Sequence, residues 1–174
     1  RLDRNQKSFK MSFEEFYRRR VSDAMINRGR KWIAENRALV TRLEQQFGVP
    51  AEVLVSIWAL ETNFGAQSGN LPIIRSVATL ASDCRRQAFF ENELMSALKI
   101  VQRGDLPIVS MKGAWAGEIG QTQFMPSSYV NYAVDFDGDG HPNLVSSVPD
   151  VLASTANFLR RKGWKRGEGW GEGT

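Results

Sequence analysis

Glu61 ends an apolar run, Pro50-Ala51-Glu52-Val53-Leu54-Val55-Ser56-Ile57-Trp58-Ala59-Leu60-Glu61-Thr62-Asn63-Phe64-Gly65. At helical spacing Leu54, Ile57 and Trp58 stand seven, four and three positions before it, so they share its face. The expectation is a carboxyl group on the packed face of a buried helix, just ahead of a glycine turn. Lost hydration disfavours the charged form and raises the pKa. A carboxyl kept protonated near neutral pH is what a general acid requires. The other reading is a glutamate that caps the helix or pairs with a nearby arginine, since ion-pair networks also perturb carboxyls.

A second stretch, Gly113 to Ser127, joins glycines to amides and aromatics. Glycine lets backbone approach a ligand closely. The amides of Gln121 and Gln123 suit hydroxyl and acetamido groups, and the faces of Trp115 and Phe124 suit the apolar faces of sugar rings. The same residues fit a tight turn held by core aromatics. Glu118 lies between glycines, as a second carboxylate or a solvated loop residue.

The third stretch is Asp135-Phe136-Asp137-Gly138-Asp139-Gly140-His141. Aspartates at alternate positions before a glycine match the first half of an EF-hand loop, whose hard oxygen ligands fit Ca²⁺. The backbone carbonyl of His141 takes the next ligand position. Ser146 stands where the usual late glutamate would be, and Asp150 can supply that carboxylate in an enlarged loop. Such an ion is expected to be structural, because these ligands saturate it. An Asp/Gly-rich turn without metal is the other reading.

Other chemistries are excluded or weakened by counting. One cysteine, Cys84, forbids an intrachain disulfide and argues against a thiolate zinc site. One histidine, His141, removes poly-His metal sites, and it lies far from any nucleophilic serine motif. The net charge of +4 favours anionic partners, but the early arginines read as a solvated helix face, not a nucleic-acid patch. Arg85-Arg86, beside Cys84, can hold an anionic group or form an ordinary surface pair. No window approaches eighteen uninterrupted apolar residues, so no membrane-spanning segment is expected.

The elements that must position these residues are helical. Hydrophobic residues at 42% and charged residues at 24% are ordinary for a globular chain, and 174 residues can bury a real core. Ser12-Phe13-Glu14-Glu15 is a capping box, followed at helical spacing by Phe13, Phe16, Tyr17, Val21, Ala24 and Met25. A second helix is expected over about 30–46, stopped by Gly48, with Pro50 opening the third. Further helices are expected over about 73–82, 85–103 and 149–161, the last capped by Ser147. Residues 112–132 read as loop with short helical turns. The chain starts without methionine and ends in a glycine-rich run, so it reads as a fragment or mature piece.

Four blocks carry a resemblance: Ala59-Leu60-Glu61-Thr62-Asn63-Phe64-Gly65, Ala78-Thr79-Leu80-Ala81, Gly117 to Tyr129, and Val134 to Gly140. Together, over about 49–164 and in the same order, they resemble the MltB-type lytic murein transglycosylases of glycoside hydrolase family 103. The resemblance implies a mainly α, lysozyme-like catalytic domain with an EF-hand-like calcium loop, acting on peptidoglycan strands in the periplasm of a Gram-negative bacterium. It implies an N-terminal helical segment, 1–48, and a catalytic core, 49–174, truncated at its C-terminal end. Glu61 matches the single catalytic glutamate. Arg85, Arg86, Gln123, Phe124 and Met125 match the glycan groove, and Asp135, Asp137, Asp139, His141 and Asp150 the calcium loop. The implied protein is a monomer without organic cofactor or nucleic-acid partner, touching a membrane only through a segment outside this sequence. A lysozyme-like muramidase on the same fold, or a non-catalytic peptidoglycan-binding module, are the alternatives.

Overall fold

The computed structural model describes residues 11–168. The expected helices form, with two breaks the periodicity did not reveal. The apolar spacing from Phe13 to Met25 is interrupted: α1 spans Phe13–Arg20 and α2 spans Asp23–Glu35, each opened by a serine whose side chain accepts an N–H three residues on, Ser12 from Glu15 and Ser22 from Met25. The expected helix over 30–46 is likewise divided. α2 closes at Asn36, whose side-chain amide donates to the Trp32 carbonyl, and α3 runs Arg37–Phe47. Gly48 ends α3 in the left-handed conformation, φ 71°, which glycine adopts without steric cost.

α4, Ala51–Thr62, is the centre of the fold. It packs against α2, α3 and α8, the last spanning Val148–Arg161 and capped by Ser147 as expected. Between them, α5 (Ile73–Ala81) packs on α6 (Gln87–Gln102), and α6 on the short α7 (Pro126–Tyr132). α6 starts two residues later than 85–103 predicts. Its buried stripe is Phe90, Glu93, Ala97 and Ile100, while Phe89 and Leu98 are exposed. Among the described residues the sheet is one antiparallel pair, β1 (Leu71–Pro72) on β2 (Lys112–Gly113).

The core joins Leu43, Leu54, Val55, Trp58, Ile73, Ile100, Ile119, Tyr129, Leu144 and Leu152, so residues on both sides of position 48 share it. α1 buries none of its residues, and Phe13 and Tyr17 lie in solvent. The glycine-rich run from Gly167 lies almost wholly outside the described residues.

Leu152 is fully buried in α8, against the helix that carries Glu61. Leu152→Ala is expected to lower stability by about 2–5 kcal/mol, the usual cost of such a cavity. Urea unfolding checks it; a loss below ~1 kcal/mol would mean that α8 is not packed as described.

Candidate active site

The buried stripe of α4 is Ala51, Leu54, Val55, Trp58, Ala59 and Thr62. Glu61 lies one row aside, on the i, i+4 line of half-buried Val53 and Ile57, and that line reaches solvent at Glu61. The expectation of a carboxylate on the packed face is therefore corrected: Glu61 stands at the edge of the stripe, in the last turn. The residue as a whole is exposed, yet enough protein surrounds the carboxyl group to disfavour its charge. That desolvation raises its pKa, the Arg20 guanidinium pulls it down, and the Glu118 carboxylate pushes it up. Arg20 is fixed where it can act, donating to the Leu60 carbonyl at 2.8 Å.

The turn after Glu61 is conformationally costly. Asn63 and Phe64 both have positive φ, 52° and 58°, a region worth about 1–3 kcal/mol of strain for ordinary residues. Gln121 holds it. Its Oε1 accepts from Trp58 Nε1–H at 2.8 Å, and its Nε2 donates to the Val145 carbonyl at 3.0 Å. Its own carbonyl accepts from Thr62 Oγ1 at 2.6 Å, while the Gly65 N–H donates to Thr62 Oγ1 at 2.9 Å. Gly65 sits at φ 82°, and a Cβ there would lie 2.3 Å from Gln121 Oε1. The amide expected to face a sugar is thus buried and structural, the tight-turn reading of that segment.

Gln123 behaves differently. It is half-buried at φ 54°, and its Nε2 donates to the carbonyls of Gly120 and Ser68. Phe124 is buried against Phe158 and Met125 is half-buried. A residue that sequence reasoning missed fixes the far side of this segment. Glu93, 2% exposed, accepts from the Ser127 N–H at 2.8 Å and from Ser127 Oγ at 2.7 Å. The available signal was a carboxylate in register with the apolar stripe of α6. Arg85 and Arg86 are exposed ahead of α6, in an open pocket with Cys84 and Gln87. Arg85 pairs with Asp83, and Arg86 lies over the rings of Phe89 and Phe90. Glu118 is half-buried, one carboxylate oxygen accepting from the Ala116 N–H.

The acidic loop gathers Asp135, Asp137 and Asp150, each offering an oxygen within 4.8 Å of the others. Asp135 folds the loop by accepting from the N–H groups of Gly138 and Gly140. Asp150, fully buried, accepts from Phe136, Asp137 and Asn143 N–H, tying both ends of the loop to α8. Burial raises the Asp150 pKa against those three bonds, with the Asp137 charge adding to the rise. Asp139 is exposed and outside the three-carboxylate group, its oxygen turned to the His141 N–H. His141 is exposed, with Nδ1 3.7 Å from Asp105.

A glutamate in the last turn of a buried central helix, a glycine-stapled segment beside it and an acidic loop leading into α8 define the site of a mainly helical domain. The chain belongs to the transglycosylase SLT domain family, whose model matches residues 1–173. It is 41% identical over 130 residues to membrane-bound lytic murein transglycosylase B of Escherichia coli, K12 strain, covering 74% of this chain and 36% of that protein. SltB3 of Pseudomonas aeruginosa, solved in complex with NAG-anhNAM-pentapeptide, aligns at TM-score 0.88 and 40% identity over 92% of this chain and 43% of its own. E. coli Slt35, solved in complex with calcium, aligns at TM-score 0.83 and 34% identity over 89% of this chain and 50% of its own. The chain thus spans half or less of these relatives.

Gln121→Leu would unpair the Trp58 N–H and the Val145 carbonyl. The expected loss is on the order of 2 kcal/mol, the cost of stranding buried polar groups. Chemical denaturation measures it; a change below ~0.5 kcal/mol, the range of surface substitutions, would mean the bonds carry nothing.

Proposed function

We propose that this domain is a lytic transglycosylase that cleaves the bond between MurNAc and GlcNAc in peptidoglycan and leaves 1,6-anhydroMurNAc ends. The observation that carries the reading is the Glu61 carboxyl, partly desolvated at the end of α4 and held above its ordinary pKa. The protonated acid donates to the glycosidic oxygen as the bond from C1 breaks. The substrate's acetamido oxygen can stabilise the oxocarbenium-like centre. Glu61, now a carboxylate, takes the proton of the MurNAc 6-hydroxyl as that oxygen bonds to C1. One proton leaves and one returns, and no water is consumed. The second step is intramolecular, which removes much of its entropic barrier. Arg85, Arg86, Gln123, Phe124 and Met125 line the glycan path in this reading, with Glu93 positioning the segment that carries the last three.

The second reading, a muramidase on the same scaffold, is favoured by Glu118, whose charge is felt by Glu61. Two carboxylates are the usual equipment for hydrolysis. Product masses decide between the readings, because anhydro ends are lighter than hydrolysed ends by one water.

The acidic loop suits Ca²⁺ by its donor set. Hard oxygens from Asp135, Asp137 and Asp150 converge, and like charges so close repel unless a cation lies among them. Asp139 and the His141 carbonyl complete the set in this proposal. The ion's contribution is charge balance in the loop that α8 anchors. The proposed site of action is the bacterial envelope, with peptidoglycan strands as partner and the domain as monomer. Among the described residues no helix is long and apolar enough to cross a membrane.

Glu61→Gln is expected to abolish release of anhydro-ended fragments from purified peptidoglycan while leaving the melting temperature within a few degrees. In the unsubstituted protein cleavage should fall as pH rises through the raised Glu61 pKa, because the acid is then already ionised. Full activity in Glu61→Gln, read by mass spectrometry of the digest, would sink the assignment.

Calcium is expected to raise the melting temperature through preferential binding to the folded loop, and Asp150→Asn to remove that response. An identical transition in calcium and in chelator would rule the ion out.

A further inference from the structure

Beside the helix end that carries Glu61 lies a cleft of about 410 Å³ between α1, α2 and the last turn of α4. Arg19, Arg20, Arg28, Asn63 and Gln67 line it, and no acidic residue does. Arg19 is engaged by Glu15 at 2.5 Å. Arg20 is anchored on the Leu60 carbonyl. Arg28 lies over the Phe64 ring, 4.4 Å from its centroid, and reaches Asn63 Oδ1 at 3.4 Å. Among the described residues neither Arg20 nor Arg28 makes an ion pair with a carboxylate. Each guanidinium has five N–H donors, so both keep donors beyond these anchors. Stacking on an aromatic face fixes the fork of Arg28 in advance and lowers the ordering cost of binding an anion.

A glycan backbone of MurNAc and GlcNAc is uncharged along its ring hydroxyls and acetamido groups. Where a stem peptide is attached, the MurNAc lactyl carboxyl is tied up as an amide, so the free carboxylates of such a strand belong to its stem peptides. We propose that the Arg20–Arg28 cleft is a subsite for a stem-peptide carboxylate, with Asn63 and Gln67 offering amides to the peptide backbone. This subsite rests on the peptidoglycan reading above and adds to it: the domain reads the peptide as well as the sugar. It is separate from the Arg85-Arg86 pair, which lies in a different pocket. Its nearness to Glu61 places a bound stem next to the bond that is cut, and the Asn63-Phe64 turn is shared by both sites. A carboxylate on Arg20 would also offset the positive charge that draws the Glu61 proton away.

Calorimetric titration of Glu61→Gln, which holds ligand uncleaved, tests the subsite with NAG-anhNAM carrying a pentapeptide and, as the peptide-free control, NAG-anhNAM whose lactyl carboxyl is capped as its methylamide. The peptide should tighten binding by about fivefold or more, the scale of charge-assisted contacts to arginine, and added salt should weaken that gain. Amidating the peptide carboxylates should erase the gain with the protein otherwise unaltered, so the result does not depend on any further variant folding. Arg20→Gln combined with Arg28→Gln should erase it as well. Equal affinity for the two ligands, or a peptide gain that survives amidation, would overturn the subsite. Peptide-dependent binding in a chain whose wild type forms no anhydro ends from strands would leave the subsite standing and remove the catalytic reading alone.

Discussion

The site depends on one buried amide. Gln121 bonds through its side chain to Trp58, four residues before the end of α4, and to the carbonyl of Val145, and through its backbone to Thr62 and Leu144. Three parts of the chain far apart in sequence are thereby fixed to one residue: the helix that carries Glu61, the glycine-stapled segment, and the approach to α8. None of these groups has water to fall back on, because Trp58, Thr62 and Gln121 are all buried. A buried network of this kind specifies a single arrangement only when every member is satisfied. The two left-handed residues that follow Thr62 are strained alone and become tenable because both flanks are tied.

Glu61 shows how a modest displacement sets chemistry. At the centre of the α4 stripe it would be surrounded by Leu54, Trp58 and the core, out of reach of substrate. One row aside it is accessible and still partly desolvated. Its surroundings then act in opposition, Arg20 favouring the anion and burial with Glu118 favouring the acid. The acidic loop follows a related logic. Asp150 is committed to three backbone N–H groups, so the loop is shaped by α8 before any charge balance is considered.

Much of this was legible in the residues. Ser12, Ser147 and Gly48 mark their helix ends because short polar side chains and glycine meet fixed needs at termini. The apolar run before Glu61 announced a central helix, and the spaced aspartates announced a loop with converging carboxylates. What stayed hidden was set by distant contacts. The break at Val21-Ser22 looked like continuing periodicity, since Ser22 is also compatible with a helix interior. For Gln121 the sequence offered both a sugar-facing amide and a tight turn, and could not show the buried bond that decides for the turn, because its partner Trp58 lies 63 residues away. Glu93 drew no notice in the sequence, because the group that explains its burial, Ser127, lies 34 residues away on α7.

Gly65 and Gln121 occupy one volume: the space a methyl group would need at 65 is already filled by the amide oxygen of residue 121. The two positions are therefore not free to drift separately. A lineage that gained a side chain at 65 would have to shift or shorten the side chain of residue 121 in the same step, and losing its amide releases Trp58 and the Val145 carbonyl. Change at this corner has to be concerted, so the turn behind the acid is an evolutionary ratchet, easier to keep than to rebuild.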